Sequence, residues 1–136
     1  MNYIWMILGI VMVALGLVFF LMDAPKTGVT ADQQIKVMLK EWAIQTDLKE
    51  IRAGAVRFII WNNGGRPHGL AAMALLQGRE QSVLIVEQID PAQMRSVLVE
   101  LKPGEYTLYD PLYCRNPFRG NCEKNAMAML VKLNVR

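Results

Sequence analysis

Hydrophobic and polar positions along most of the chain follow the short period that is typical of β-strands. Residues 56–60 and 94–101 alternate between apolar and other side chains, which indicates strands with one buried face. Residues 82–89 form a short apolar run, and residues 105–109 and 128–135 also have strand-like composition. About seven or eight short strands, with turns about every 8–12 residues, predict a mainly β domain with a Greek-key β-sandwich architecture.

Residues 31–45 fit two patterns. Ile35, Leu39 and Trp42 have helical spacing. Ile35, Val37 and Leu39 also alternate as they would in a strand. The pattern alone leaves helix and strand open for this segment.

The N-terminal segment has a different pattern, because residues 1–22 contain no charged side chain and the first charge is Asp23. At about 1.5 Å per residue, a helix of this length spans roughly the 30 Å hydrocarbon core of a bilayer. A cleaved signal peptide is the alternative, but the segment lacks a basic start and a small-x-small cleavage site. We predict one transmembrane helix at 1–22, a Pro/Gly-containing linker at 23–30 and one domain at 31–136.

The composition of the 136 residues narrows the chemistry. His68 is the only histidine, and Cys114 and Cys122 are the only cysteines, which excludes multi-histidine zinc sites and four-cysteine zinc or iron–sulfur sites within one chain. The sequence has no G-x-S-x-G motif, P-loop or dinucleotide-binding glycine motif. The net charge is only +3, with no Lys/Arg-rich arm, so we expect no nucleic-acid partner. We also do not expect an enzyme that is catalytic alone.

Two segments resemble the cupredoxin family. Residues 51–70, IRAGAVRFIIWNNGGRPHGL, are similar to the family's AG-x-V-x-F-x-x-x-N-x-G-x-x-x-H-x-L stretch, and His68 stands at the place of the first copper ligand. Residues 101–135 resemble the family's C-terminal ligand segment, where Cys114 and Met127 stand at or near the places of the Cys and Met ligands. The resemblance implies a cupredoxin-like Greek-key β-sandwich.

The sequence departs from that family at the copper site. A blue-copper centre uses two imidazoles, a thiolate and a weak axial thioether. His68 is the only histidine, Asn116 stands about where a short-loop cupredoxin has the second one, and Cys122 is an additional cysteine. The resemblance therefore implies a degenerate copper site, together with an opening strand at 35–44.

Several interpretations of the ligand-like residues stay open. Cys114 and Cys122 form a disulfide in an oxidising compartment, or provide a copper thiolate with a free partner, or are two free thiols. His68 is a hydrogen-bonded surface histidine, or belongs to an altered copper site with Met127, Met129 or a cysteine. The two methionines would share one face of a strand, where packing is the usual role and Cu(I) binding the alternative.

Four basic residues fall in the loops that resemble the copper end of the family, namely Arg66, Arg115, Arg119 and Lys124. They form either a solvated polar end or a docking surface for an acidic partner.

These observations favour an accessory, structural subunit of a membrane redox or copper enzyme complex of the terminal-oxidase type, without type 1 copper. We expect residues 1–22 to cross the inner membrane once, the domain to lie in the periplasm, and other membrane subunits to be the partners. Few Lys or Arg flank the segment, so charge alone does not set this orientation. The alternative is a copper protein for electron transfer or copper delivery, with a non-standard site at His68, Cys114, Met127 and Cys122. A small-ligand binding module has no pocket signal in the sequence.

Overall fold

The computed structural model of this chain describes residues 33–136. The transmembrane helix predicted at 1–22 and the linker predicted at 23–30 lie outside the described residues. Within 33–136, no helix combines the length and the apolar character needed to cross a bilayer.

Strands dominate the described part of the chain. They are β1 (Gln33–Lys40), β2 (Ala43–Thr46), β3 (Glu50–Ile51), β4 (Gly54–Asn62), β5 (His68–Leu76), β6 (Arg79–Ile89), β7 (Met94–Leu101), β8 (Gly104–Tyr109), β9 (Cys114–Asn116), β10 (Asn121–Cys122) and β11 (Val131–Val135). Two short 3₁₀ helices, η1 (Pro117–Arg119) and η2 (Lys124–Met129), lie near the C-terminal end.

The strands form two facing sheets and a small ribbon. One sheet has the order β2-β1-β4-β7, and the other has the order β3-β11-β8-β5-β6. Strands β9 and β10 form the ribbon. The β1–β4 and β3–β11 pairs are parallel, and the other pairs are antiparallel.

The core lies between the two sheets and explains why residues 31–45 contain a strand. Ile35, Val37 and Leu39 of β1 are almost fully buried against the core, together with Phe58 of β4. Their spacing of two places them on one face of the sheet. Trp42, whose helical spacing made the segment ambiguous, lies instead in the turn after β1.

Strand β5 is the main element that the alternation pattern did not predict. Its first seven residues, His68–Ala74, are all buried because β5 lies between β8 and β6 with both faces covered. A strand buried on both faces is a continuous apolar run, which cannot be distinguished from a helix by its period. The Ala, Leu and Met residues of β5 are also good helix formers.

The predicted strand at 128–135 was too long. The strand β11 begins only at Val131, because Lys124–Met129 form η2. Met127 and Met129 therefore do not share a strand face: Met127 is 44% exposed, whereas Met129 is fully buried. Residues two apart in a 3₁₀ helix point in different directions, since each turn holds about three residues.

Candidate functional site

Four strand ends meet at one pole of the sandwich. The parallel strands β1 and β4 both end there, and β5 begins beside the end of β8 because these two strands are antiparallel. The pole therefore collects the β1–β2 turn, the β4–β5 loop and the segment after β8. We call this end of the domain the His68 pole.

His68 is the centre of this pole, and it is buried rather than on the surface as one interpretation of the sequence expected. It is the first residue of β5 and only 1% exposed. Its Nδ1 lies 2.7 Å from Oδ2 of Asp110, whose side chain is fully buried. Because a carboxylate oxygen accepts a hydrogen bond, Nδ1 is the protonated donor in this pair.

Asp110 also fixes the backbone around the histidine. Its Oδ1 accepts hydrogen bonds from the backbone N–H groups of Gly69 and Leu112, each at 3.0 Å. Its carbonyl oxygen accepts from the N–H groups of Tyr113 at 3.2 Å and Cys114 at 2.9 Å. A buried carboxylate is tolerated where such donors satisfy it, so Asp110 organises the segment between β8 and β9.

Glu41 approaches the other side of the imidazole from the β1–β2 turn. Its Oε1 accepts hydrogen bonds from the N–H groups of Gly65 at 2.6 Å and Arg66 at 3.0 Å, and lies 3.6 Å from Nε2 of His68. The pKa of Glu41 is lowered chiefly by a hydrogen bond from its own backbone N–H. The N–H groups of Gly65 and Arg66 contribute in the same direction, and partial desolvation opposes them. Among residues 33–136, Nε2 of His68 has no hydrogen-bond partner, although it is buried.

One aromatic ring, that of Tyr113, covers the histidine, and the ring of Trp42 packs against it from the side of the β1–β2 turn. Tyr113 contacts the imidazole edge to face with ring centroids 5.6 Å apart, and Trp42 contacts Tyr113 in the same way at 5.9 Å. The Tyr113 hydroxyl donates to the carbonyl oxygen of Pro67 at 2.9 Å. Burial raises the pKa of this hydroxyl, and the negative charge of Asp110 adds to the effect. The rings therefore shield the His68–Asp110 pair from water.

Cys114 and Cys122 form a disulfide, which confirms the pairing considered from the sequence. The two cysteines are opposite each other in the β9–β10 ribbon. Cys114 is 2% exposed and packs with Met73 and Tyr109 on the outer face of the five-stranded sheet. The bond therefore crosslinks the two strands of the ribbon, and the buried Cys114 packs the ribbon against the five-stranded sheet.

The residues as arranged do not fit a type 1 copper centre. Such a centre needs a thiolate, but the sulfur of Cys114 is bonded to that of Cys122. Nδ1 of His68 already donates to Asp110. Asn116 lies elsewhere: its Oδ1 caps η1 by accepting from two backbone N–H groups, and its Nδ2 donates to Glu80.

The described chain, 33–136, also brings together no group of three or more His, Cys, Asp or Glu side chains that could hold a metal ion. Met127 lies in η2 and is largely exposed. Copper binding by His68, Cys114, Cys122 or Met127 stays a hypothesis.

The four basic residues proposed for docking are all exposed in loops, in β9 and in the 3₁₀ helices. Nε of Arg119 lies 3.3 Å from Glu80, so this charge has an acidic neighbour within the chain. Glu41 and Glu123 are also close enough to affect the pKa of Tyr113. The pole is therefore a surface of mixed charge, and docking through Arg66, Arg115, Arg119 and Lys124 stays a prediction.

Sequence reasoning missed Asp110, Glu41 and Trp42 as members of the pole. Asp110 had one usable signal, because it directly follows a buried strand and precedes Pro111 at the start of the resembling ligand loop. Glu41 and Trp42 had none, since they belong to a turn that comes close only through the pairing of β1 with β4.

Comparisons with known proteins identify the fold but do not identify an activity. No protein-family model and no curated protein matches the sequence. The structure is similar to auracyanin B, with a TM-score of 0.53 and 14% identity, covering 81% of this chain and 93% of that one.

Two further solved structures have comparable similarity. A reduced auracyanin from the photosynthetic bacterium Roseiflexus castenholzii has a TM-score of 0.51 and 11% identity, covering 79% of this chain and 99% of that one. Lac15 from a marine microbial metagenome has a TM-score of 0.51 and 12% identity, covering 82% of this chain and 35% of that one. At such low identity the likeness shows the fold alone. The described residues therefore form a domain with the cupredoxin-like fold.

Proposed function

We propose that this chain is a membrane-anchored, cupredoxin-like accessory subunit of a membrane redox or copper enzyme complex of the terminal-oxidase type. It is not catalytic alone, and its domain has a structural role. One observation carries this proposal: the side chains at the ligand positions make structural bonds instead. Cys114 is held in a disulfide, and Nδ1 of His68 is held by Asp110.

The disulfide also supports a periplasmic location. Structural disulfides persist in oxidising compartments such as the periplasm and are rare in the cytosol. With residues 1–22 crossing the inner membrane, the domain at 31–136 would then lie on the periplasmic side. The partners would be other membrane subunits, and the bilayer would contact the chain through residues 1–22.

The direction of β1 supports docking through the His68 pole. The chain enters the described domain at Gln33, and β1 runs for eight residues towards the pole. At about 3.3 Å per residue, the entry point and the pole are roughly 25 Å apart. An anchor at 1–22 would hold the entry end nearer the bilayer, and would leave the pole available to the extramembrane part of a partner.

An apolar row on the outer face of the four-stranded sheet also favours an interaction role. Met38, Trp61 and Met94 lie opposite one another on β1, β4 and β7. Trp61 is 39% exposed and Met94 is 59% exposed, and the row lines a cleft of about 450 Å³. Exposed apolar patches of this kind mark interaction surfaces.

Purification of the tagged, full-length chain from native membranes tests the proposal. We expect the chain to resist an alkaline wash and to co-migrate on a native gel with haem- or copper-containing subunits. A variant without residues 1–22 should be released in soluble form. A full-length chain that is washed off, or that migrates alone after mild solubilisation, would contradict the proposal.

One observation favours the second candidate function, a copper protein with a non-standard site. The buried Nε2 of His68 lacks a hydrogen-bond partner among the described residues, so its lone pair is available to bind a metal ion. This function requires stoichiometric copper binding that is lost in His68→Ala. Electron transfer or copper delivery would follow from such binding.

A further inference from the structure

The β4–β5 loop forms a cradle for a carboxylate. The N–H groups of Gly65 and Arg66 point at the same oxygen, Oε1 of Glu41, at 2.6 Å and 3.0 Å. Gly64 lets this oxygen come close, because a Cβ at that position would lie only 2.5 Å from it. Successive N–H groups that converge in this way form an anion-binding concavity.

A buried polar atom extends the cradle beyond the loop. Nε2 of His68 faces the same oxygen of Glu41, but at 3.6 Å the two atoms are too far apart for a hydrogen bond. The histidine is 1% exposed, and Nε2 has no hydrogen-bond partner within the described chain. A carboxylate seated slightly deeper than that of Glu41 would bring an oxygen within hydrogen-bond distance of Nε2. A proton taken up with it, on Nε2 or on the carboxyl group, would complete that hydrogen bond, because Nδ1 already uses the ring proton for Asp110.

The position of Glu41 in a short turn explains why its carboxylate does not reach Nε2 of His68. Glu41 lies in the two-residue turn between β1 and β2, and its side chain is 37% exposed. The next residue, Trp42, has φ of +60°, a left-handed conformation that is costly for a bulky side chain. Among the strands of residues 33–136, β2 pairs only with β1 and lies at the edge of its sheet. The turn that carries Glu41 is therefore strained and lies at the sheet edge, although the Trp42 side chain packs against the hydrophobic clusters.

We propose that the loop at 64–66 and His68 form a carboxylate-binding site that Glu41 fills from within the chain. In the assembled complex, a carboxylate from an acidic segment of the partner takes the place of Glu41. The exposed side chain of Arg66 at the entrance attracts that segment. This second step rests on the proposed function as a docking subunit, whereas the site itself does not.

A small carboxylate tests the site without any partner. In the full-length Glu41→Ala chain, the cradle loses its internal occupant, and acetate should raise the Tm in a saturable way compared with chloride at equal ionic strength. Wild type should show no such rise. Glu105→Ala is the matched control, because it removes the same charge from another exposed hydrogen-bonded glutamate, which lies near the start of β8 and away from the His68 pole. If Glu41→Ala does not fold, Glu41→Ser, whose side chain is too short to reach the cradle, replaces it in the same titration.

A hexaglutamate peptide tests the displacement of Glu41. Glu41→Ala should bind this peptide about tenfold more tightly than wild type, because no internal carboxylate competes. Glu105→Ala, which has the same net charge as Glu41→Ala, should bind like wild type. Absence of binding to wild type, or equal binding by all three chains, would overturn the displacement.

The two failures can be told apart. Absence of a saturable acetate effect in the folded Glu41→Ala or Glu41→Ser chain, or an equal effect in Glu105→Ala, would overturn the site whether or not the chain co-purifies with a redox complex. A saturable rise in the Tm of Glu41→Ala with acetate, in a chain that migrates alone on the native gel, would support the carboxylate site and contradict the proposed function.

Discussion

At the scale of single residues, Asp110 is the group on which the His68 pole depends most. It accepts from Nδ1 of His68 and from two backbone N–H groups, and its own side chain is fully buried. Removal of one partner from a buried charged pair leaves the others unsatisfied. The pole therefore has a single carboxylate as its structural centre.

Asp110→Asn should lower the free energy of unfolding by about 3 kcal/mol, because charge-assisted hydrogen bonds become neutral and one amide hydrogen meets a donor. Urea denaturation measures this loss. Asp90→Asn is the control, since Asp90 is exposed and bonds only the Gln88 side chain through its carboxylate. Equal stabilities of the two variants would rule out the central role of Asp110.

Glu41 gives a pH dependence at the residue scale. Its pKa in the folded chain is lowered below the ordinary value of 4.5. A lowered pKa contributes stability that is present above the ordinary value and is lost as the pH falls through the folded value. The stability difference between wild type and Glu41→Gln should therefore be constant near neutral pH and shrink below about pH 4.5. A difference that grows on acidification would contradict this assignment.

At the scale of elements, the sequence predicted strands that have one covered face and failed for those that have two. Strands β1, β4 and β7 alternate because each contributes one face to the core. Strand β5 is buried on both faces, so its sequence has no period of two. The hydrogen bond between His68 and Asp110 could not be predicted from the sequence either. The two residues are 42 positions apart and come together through the pairing of β5 with β8.

A buried and an exposed position of β5 should respond differently to substitution. Ala72 is fully buried in the core, so Ala72→Leu should destabilise the domain by about 1–3 kcal/mol through overpacking. Leu75 is 62% exposed on the same strand, and Leu75→Ala should change stability by less than about 0.5 kcal/mol. Thermal unfolding of both variants measures the contrast, and equal effects would contradict the assignment of β5 to the core.

The disulfide is the covalent link in the β9–β10 ribbon. It closes a loop with a sequence separation of 8 residues, for which chain entropy predicts a stabilisation of roughly 2.5 kcal/mol. Reductant should lower the Tm of wild type and leave that of the Cys114→Ala/Cys122→Ala double variant unchanged. Alkylation of unreduced, denatured protein should find no free thiol. Two free thiols in protein that was never reduced would contradict the bond.

At the scale of the whole molecule, the cupredoxin-like fold could be predicted from the sequence. The hydrogen-bond partner of His68 could not. Two segments carried the resemblance, at 51–70 and 101–135, and the fold of the described residues agrees with it. His68 acquired its partner Asp110 through a long-range contact, whereas Cys114 bonds to Cys122 only 8 residues further along the chain. The fold therefore locates the pole, and the specific contacts of His68 and Cys114 decide what the pole can do.

Copper binding by the full-length, unreduced protein tests the central claim most directly, namely that the His68 pole is structural. Equilibrium dialysis against Cu(II), followed by metal analysis and visible absorption, measures both stoichiometry and ligand type. We predict far less than one tightly bound copper per chain, no copper–thiolate absorption, and the same result for His68→Ala. One tightly bound copper per chain that is lost in His68→Ala would contradict the account.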